Sequence, residues 1–237
     1  MRGLRREEVA ELADVSVTWY TCFELGTAQR VSLDFVDRIA SVLRLNPTEY
    51  TYLLALLGAS NPPASAERRE AFDAIVFGAD TSAIAEVDGG LAILSRNETW
   101  HRLFGTGASH GLAVHANIVD CIFDDPDLRE GVEGWDLLAG FVCGALRMQL
   151  ARRHAEAAAT FERYSRHILF SEQWLRRTLY DPQDADVRFS INHPAVGRIA
   201  LRFLGVGLYG TANLLFVVVG DGDDAWRKMR SLPKTPA

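Results

Sequence analysis

The chain has 237 residues, of which 48% are hydrophobic, 24% charged and 10% aromatic, and its formal net charge is −6. This composition is that of a globular protein and excludes a disordered, collagen-like or coiled-coil chain. Because the whole chain is acidic, it is not a polycation that coats nucleic acid, and any DNA-binding surface must be local.

The first residues, MRGLRREEVAELAD, carry charges where a secretory signal needs an apolar stretch, so the sequence predicts a cytoplasmic protein. Residues 1–59 are predicted to form short helices, because apolar positions recur at intervals of three and four. Ser16 and Ser32 precede two of these helices as N-caps, Asn46 precedes a third, and Gly26 lies where the second should stop.

Prolines and small polar residues at 60–66 predict a linker, so we expect a helical domain at 1–59 and a second domain at 67–237. The second domain should begin with a connecting helix and a hairpin, in which Asp88-Gly89-Gly90 supplies the positive φ angles of the turn. The predicted strands are 84–87, 91–94, 187–191, 196–204 and 214–219, and the predicted helices are 67–77, 97–104, 135–154, 157–169, 171–179 and 221–232.

These elements predict an α+β protein: an all-α N-terminal domain, followed by a domain with a five-stranded antiparallel sheet and inserted helices. The uncharged stretch 203–220 is interrupted by glycines and is predicted to form two strands rather than a membrane span. Gly205 to Gly210 match the string GxGxxG, but a strand rather than a helix follows, so they do not predict a dinucleotide site.

The segment from Arg6 to Gly26 has the pattern of a helix-turn-helix. Ala10 offers little more than a methyl group where two helices must cross closely. Asp14 lies in the tight turn and is among the residues that tolerate a left-handed conformation. The alternative is a plain bundle of amphipathic helices without a DNA-reading face.

The string GLRREEVAELADVSVTWYTCFELG resembles the helix-turn-helix of XRE-like repressors, and in particular the branch of MmyB-like transcription regulators. We expect the arginine-rich first helix of that family to be missing from this chain, and Cys22 stands where a basic residue is usual. The resemblance continues, in order, at Leu94-x-x-Asn97, Trp100, Leu103-Phe104-Gly105, Asn117-Ile-Val, Phe123-x-Asp-Pro126, Leu128-Arg129, Trp135, Leu146-Arg147, Trp174, His193-Pro194-x-Val-Gly197 and 201–204.

A helix-turn-helix contacts phosphates near its helix starts and reads bases with the exposed side of its second helix. Residues 1–60 contain six arginines and eight acidic residues, a net charge of −2, so we predict weak and strongly salt-dependent DNA binding. The candidate phosphate contacts are Arg2, Arg5, Arg6 and Arg30, and the candidates at the helix start and the major groove are Ser16, Val17, Thr18, Thr21 and Cys22.

The resemblance implies a PAS-like second domain, in which a sheet and helices enclose an apolar site. Arg147, at the end of an apolar helix, could bind a ligand carboxylate by a bidentate contact, or could form an ordinary salt bridge. A fatty acid or another amphipathic acyl or lactone-like effector would suit such a site. The candidate ligand-binding residues are Trp100, Phe104, Trp135, Leu138, Phe141, Arg147, Phe161, Trp174, Phe203 and Phe216, any one of which could equally be plain core.

The sequence therefore predicts a transcription regulator whose partners are double-stranded DNA, a small apolar or amphipathic effector and a second copy of the chain, with no membrane partner. Three cysteines without CxxC spacing predict neither a disulfide framework nor a thiolate metal site, and we expect no metal and no resident cofactor. No nucleophile or acid–base pair indicates an enzyme. The alternative is a ligand-binding or protein-interaction module with an impaired DNA-binding domain.

Overall fold

The computed structural model describes residues 4–28, 31–57, 78–176, 187–207 and 213–233. The chain divides into two compact units, Met1–Ser60 and Asn61–Ala237. The predicted linker at 60–66 and the connecting helix at 67–77 lie outside the described residues.

The described part of the first unit consists of four short helices: α1 at Arg6–Leu12, α2 at Val17–Glu24, α3 at Leu33–Leu43 and α4 at Pro47–Leu56. The predicted caps are confirmed: Ser16 Oγ accepts from the Trp19 N–H at 3.2 Å, and Ser32 Oγ accepts from the Phe35 N–H at 3.3 Å. Asn46 forms a reciprocal capping box at the start of α4.

The core of the first unit lies where α1, α2 and α3 meet, and it includes Val9, Tyr20 and Ile39. Ala10 is completely buried, as its predicted place at the helix crossing requires. Asp14, in the turn between α1 and α2, has a φ of +54°. The tight turn predicted from the sequence is therefore present.

The second unit is an antiparallel sheet partly covered by helices. The helices within the described residues are α5 at Glu98–Phe104, α6 at Gly111–Val114, α7 at Ile118–Asp124, α8 at Pro126–Gly131, α9 at Trp135–Ala151, α10 at Ala155–Tyr164, α11 at Ile168–Arg176 and α12 at Asp223–Arg230. The strands there are β1 at Ala83–Val87, β2 at Ile93–Arg96, β3 at Val132–Glu133, β4 at Val187–His193, β5 at Gly197–Gly207 and β6 at Leu214–Gly220.

The strands are ordered β2-β1-β6-β5-β4-β3, so β2 and β3 lie at the edges. Ala85 pairs with Phe216, and Phe203 pairs with Val218. Directly opposed residues point to the same face of a sheet, and all four belong to the main core of the unit. We call this face the inner face; Phe141 of α9 packs against Phe203 and Phe216 there.

The sheet has six strands rather than the five predicted. The additional strand, β3, has two residues and is defined by the pairing of Val132 with Ile191 and of Glu133 with Ser190. Alternation along the chain cannot reveal so short a strand, because the period needs several residues to show. Helices α6, α7 and α8 were also absent from the sequence prediction, for the same reason.

Two local predictions are wrong. In the turn after β1, the positive φ belongs to Leu91 at +64°, not to the glycines before it. Gly90 is needed instead for close approach, since a Cβ there would lie 2.9 Å from the Glu156 carbonyl oxygen. The break between α10 and α11 lies at 165–167, earlier than predicted, and it lets Phe170 of α11 enter the core with no exposed surface.

Within the described residues, no helix is both long enough and apolar enough to cross a bilayer. The uncharged stretch 203–220 instead supplies the end of β5 and all of β6. This agrees with the prediction of two strands for that stretch.

Candidate functional site

Helix α2 is held firmly on one side and exposed on the other. The Trp19 ring lies 4.2 Å from the Phe35 ring of α3, centroid to centroid, and the Phe23 ring lies 5.0 Å from it. Val17 and Thr18 lie on the exposed side. The helix thus presents polar and small apolar side chains from a fixed support, which is what a DNA-reading helix requires.

The predicted DNA-binding residues divide by exposure. Thr21 is partly buried, and its hydroxyl donates to the Val17 carbonyl at 2.8 Å. Cys22 is also partly buried. Arg5, Arg6, Ser16, Val17 and Thr18 are exposed, whereas Arg2 and Arg30 lie outside the described residues.

Arg6 and Glu24 join the start of α1 to the end of α2. The Arg6 Nε–H donates to Glu24 Oε2 in an ion pair. Hydrogen bonding to Glu24 raises the pKa of Arg6 above its ordinary value. Burial, and secondarily the hydrogen bond to Glu24, raises the pKa of Tyr20 to about 12. The Glu24 carboxylate therefore interacts with Arg6 on α1 and with Tyr20 on α2.

Arg38 of α3 contacts the turn between α1 and α2, which the sequence analysis did not predict. Its guanidinium forms an ion pair with Asp34 at 3.2 Å and lies 3.8 Å from Asp14 in the turn of the motif. It also donates to the Asp14 carbonyl oxygen at 3.5 Å. The only sequence signal was the i,i+4 spacing of Asp34 and Arg38 on α3.

The predicted ligand-binding residues all belong to, or pack against, one core in the second unit. Trp100 and Trp135 anchor the surrounding segments, because their indole N–H groups donate to the carbonyl oxygens of Leu112 and Ile122 at 2.7 and 2.8 Å. The fully buried members are Trp100, Phe104, Leu138, Phe141, Phe203 and Phe216, and the partly buried members are Trp135, Arg147, Phe161 and Trp174.

The aromatic members form separate groups. On the inner face of the sheet, Phe141, Phe203 and Phe216 are mutual neighbours with ring centroids 5.1–5.7 Å apart. Among the helices, Phe161 and Trp174 lie 4.8 Å apart and both contact Phe170. The sequence analysis predicts these residues as one site, and the fold distributes them over two layers.

Arg147 of α9 is engaged by Trp174 of α11. Its Nη2 donates to the Trp174 carbonyl oxygen at 2.6 Å, and its guanidinium carbon lies 4.2 Å from the centroid of the Trp174 ring. This cation–π contact and hydrogen bond tie α9 to α11. The predicted role of Arg147 in binding a carboxylate would have to compete with both contacts.

Arg96, the last residue of β2, also lies in this unit and was not among the predicted site residues. It is directly opposite Ala85, which places it on the inner face. Its Nη2 donates to the His115 carbonyl oxygen. Burial lowers the pKa of Arg96 below its ordinary value.

Polar contacts join α7 to α10. The Tyr164 hydroxyl donates to Asp120 Oδ1 at 2.8 Å and also contacts Asp124, while Arg163 contacts Asp120 at 2.6 Å. Burial and these carboxylates raise the pKa of Tyr164 well above its ordinary value. In the part of the chain that the structure describes, no three His, Cys, Asp or Glu side chains cluster as metal ligands would.

Comparison with known families identifies both units. Residues 1–53 match the model of a helix-turn-helix domain, and residues 69–232 match the MmyB-like transcription regulator ligand binding domain. The chain is therefore a DNA-binding transcription regulator that carries a ligand-binding domain. It belongs to the MmyB-like transcription regulators, as the resemblance in the sequence predicted. A search of curated proteins found no match.

Proposed function

We propose that the protein is a one-component switch, in which a small apolar or amphipathic ligand in the second unit changes DNA binding by the first. The observation that carries this proposal is α2: a capped helix, fixed by Trp19 and Phe23, with Val17 and Thr18 exposed. For the ligand to regulate anything, it must bind the DNA-competent and incompetent states unequally.

On the DNA side, the proposal assigns base contacts to Val17, Thr18, Thr21 and Cys22. Ser16 would orient the free N–H groups at the start of α2 toward the DNA backbone. Phosphate contacts are assigned to Arg2, Arg5, Arg6 and Arg30, which would have to offset the net charge of −2 in residues 1–60. The proposal includes a cytoplasmic location, since a regulator must reach DNA, and a homodimer, since two copies would match a palindromic site.

On the ligand side, the proposal assigns the apolar contacts to the inner-face group of Phe141, Phe203 and Phe216 and to the helices that cover it. A fatty acid or a similar acyl compound is the ligand class that suits an aromatic core with arginines at its borders. No catalytic step is assigned to this site. Its function is binding.

The test is a mobility shift on the DNA upstream of the protein's own coding sequence, over a salt series. Thr18→Ala and Thr21→Ala should each weaken specific binding by about tenfold, the size of one lost base contact. Thr51→Ala on α4 is the matched control for Thr21, because Thr51 makes the same hydrogen bond, to the Pro47 carbonyl at 2.8 Å. Equal behaviour of all three variants would contradict the assignment of α2.

The second candidate function is a ligand-binding or protein-interaction module with an impaired DNA-binding domain. The acidic balance of residues 1–60 favours it. It would be supported if the protein bound ligand but gave no specific, salt-dependent shift with any upstream DNA.

A further inference from the structure

The outer face of the sheet, opposite the inner face, carries a second apolar cluster. Ile84 of β1 and Leu215 of β6 are 5% and 3% exposed there, and Ala79 and Val217 pack against them. Ile84 and Val217 are directly opposed, and each is next in sequence to an inner-face residue, so alternation directs both to the outer face. The described helices of this unit all contribute to the main core instead, and none of their residues enters the outer cluster.

Side chains buried this deeply on one face of a sheet need an element packed over them, because neighbours within the sheet flank a side chain without covering it. The chain just before β1 is well placed to supply that element. Ala79, shortly before β1 begins, already packs against the outer cluster. Residues 67–77 directly precede Gly78 and Ala79 and lie outside the described residues. The match to the ligand-binding family begins at residue 69, so most of this segment belongs to the same domain as the sheet.

The sequence of this segment, ERREAFDAIVF, suits an apolar sheet face. Phe72, Ile75 and Val76 recur at intervals of three and four, so in the predicted helix they share one side. A helix over 67–77 would be about 16 Å long, at 1.5 Å per residue. Strand β1, at Ala83–Val87, has five residues and is about 17 Å long. The helix therefore has the length needed to lie along β1.

A buried carboxylate on the outer face provides charge complementarity with the same segment. Glu86 of β1 is 4% exposed and is directly opposed to Leu215, which places it on the outer face. Its Oε1 accepts from Asn213 Nδ2 at 2.5 Å. A carboxylate this deeply buried favours a cation as neighbour. The segment carries two cations, Arg68 and Arg69, at its start.

The spacing of these charges matches the spacing of the apolar residues. Arg68 and Arg69 precede Phe72 by one helical turn, which is about 5–6 Å. Glu86 is two residues beyond Ile84 along β1, which is about 7 Å. The segment ends beside the start of β1, so a helix lying back along the strand is antiparallel to it. With Phe72 over Ile84, the two arginines then lie at the level of Glu86.

We propose that residues 67–77 dock as an amphipathic helix on the outer face, antiparallel to β1, with Phe72 over Ile84 and the Arg68-Arg69 pair beside Glu86. The occupant of the outer face is thus a segment of this chain. The inference goes beyond the proposed switch and needs neither ligand nor DNA. Since residues 60–66 join the segment to the first unit, the docked helix connects the sheet to the DNA-binding helices through the chain itself.

The test is cross-linking of the full chain with a short bismaleimide, in a Cys22→Ser background. Ala71→Cys, next to Phe72 in the segment, is combined with Val206→Cys, an outer-face residue of β5 that is 45% exposed. The matched control combines Ala71→Cys with Asp127→Cys, an exposed residue of α8, which packs against α9. Peptide mass spectrometry should find about tenfold more intramolecular linkage to position 206 than to position 127, because docking raises the effective concentration of the two thiols.

The other outcomes overturn the proposal. Equal linkage of the two pairs, or no linkage to position 206 in a protein that unfolds like the wild type, means that the segment does not lie on the outer face. Linkage between two chains, seen as a covalent dimer, assigns the face to the segment of a second copy instead. Neither DNA nor ligand is present, so failure of the proposed switch does not affect this result.

The charge contact has a measurement of its own, urea unfolding of the full chain. Glu86→Gln and the double variant Arg68→Gln/Arg69→Gln should each lower the urea midpoint. The combined variant should lower it by less than the sum of the two effects, because both changes remove the same contact. Additive effects would overturn the placement of the arginines beside Glu86.

Discussion

The guanidinium of Arg6 is ion-paired with the carboxylate of Glu24, so the first residue of α1 is tied to the last residue of α2. Both side chains are at the surface, and such exposed pairs contribute little to stability. The pair instead orients Arg6 beside the proposed DNA-reading helix. Its effect should therefore be measured on DNA binding.

We expect Arg6→Gln to reduce the slope of log affinity against log salt concentration by about 0.9, the value for one lost phosphate contact. Arg227→Gln is the matched control, because Arg227 of α12 is also an exposed arginine in an ion pair, with Asp224 at 3.4 Å. Mobility shifts at several salt concentrations give both slopes. An unchanged slope for Arg6→Gln would remove Arg6 from the DNA contacts.

The backbone conformation of Asp14, in the turn of the helix-turn-helix, leads to a second prediction. Asp14 has a φ of +54°, a conformation that costs about 1–2 kcal/mol for a side chain with a branched Cβ. Asp14→Val should therefore lower the free energy of unfolding by about that amount, whereas Asp14→Gly should be neutral or stabilising by up to about 1 kcal/mol.

The control for this series is Asp14→Asn, which tolerates the same backbone conformation but loses the weak ion pair with Arg38 at 3.8 Å. Urea unfolding of the four proteins compares the free energies. Similar destabilisation by Gly, Asn and Val would mean that the side chain, not the backbone, stabilises the turn.

Asn97 fixes the start of α5 against β1. Its Oδ1 accepts from the N–H groups of Ile84 and Trp100, both at 2.9 Å, and its Nδ2 donates to the carbonyls of Ala79 and Ser82. Since the side chain is buried, Asn97→Ala leaves these groups unsatisfied and should lower the free energy of unfolding by about 2–3 kcal/mol.

The exposed Asn192 of β4 is the control, and Asn192→Ala should change the free energy of unfolding by less than about 0.5 kcal/mol. Chemical unfolding followed by tryptophan fluorescence reports on the transition. Equal, small effects of both substitutions would refute the bridging role of Asn97.

The burial of two thiols predicts that the free energy of unfolding depends on pH. Burial raises the pKa of Cys121 and of Cys143 from 9.0 to about 12. Above pH 9 the folded state therefore keeps protons that the unfolded state releases. The contribution of the two neutral thiols to the free energy of unfolding is fully present below pH 9 and is lost as the pH rises toward 12. Unfolding measured from pH 8 to pH 11 should show falling stability, with a smaller slope in Cys121→Ala.

The same burial should control thiol labelling. In the native protein at pH 8, iodoacetamide should modify the partly exposed Cys22 first, while Cys121 and Cys143 react only on unfolding. Peptide mass spectrometry identifies the labelled site, and Cys22→Ser should abolish the fast reaction. Early labelling of Cys121 would show that the core around Arg96 opens.

Much of the fold could be predicted because its signals are local. The three-and-four spacing of apolar residues gave α1 to α4, alternation gave β4 and β5, and a continuous apolar run gave β6. By contrast, β3 exists only through its pairing with β4, and the short helices α6 to α8 contain too few turns for a period to appear. Leu91 took the positive φ expected of a glycine because the Asp88 side chain binds the N–H groups of Gly90 and Ala92.

The amino-acid order by itself determined the division into a helical motif and an α+β domain, the capping serines and the family, since each of these depends on residues close together in the chain. Tertiary structure alone decided which charges meet. Arg147 contacts Trp174 and Arg6 contacts Glu24 across helices, while strand pairing turns Arg96 to the inner face, where it donates to the His115 carbonyl oxygen. Side-chain charge acts through distance in space, and that distance is fixed only when strands and helices pack.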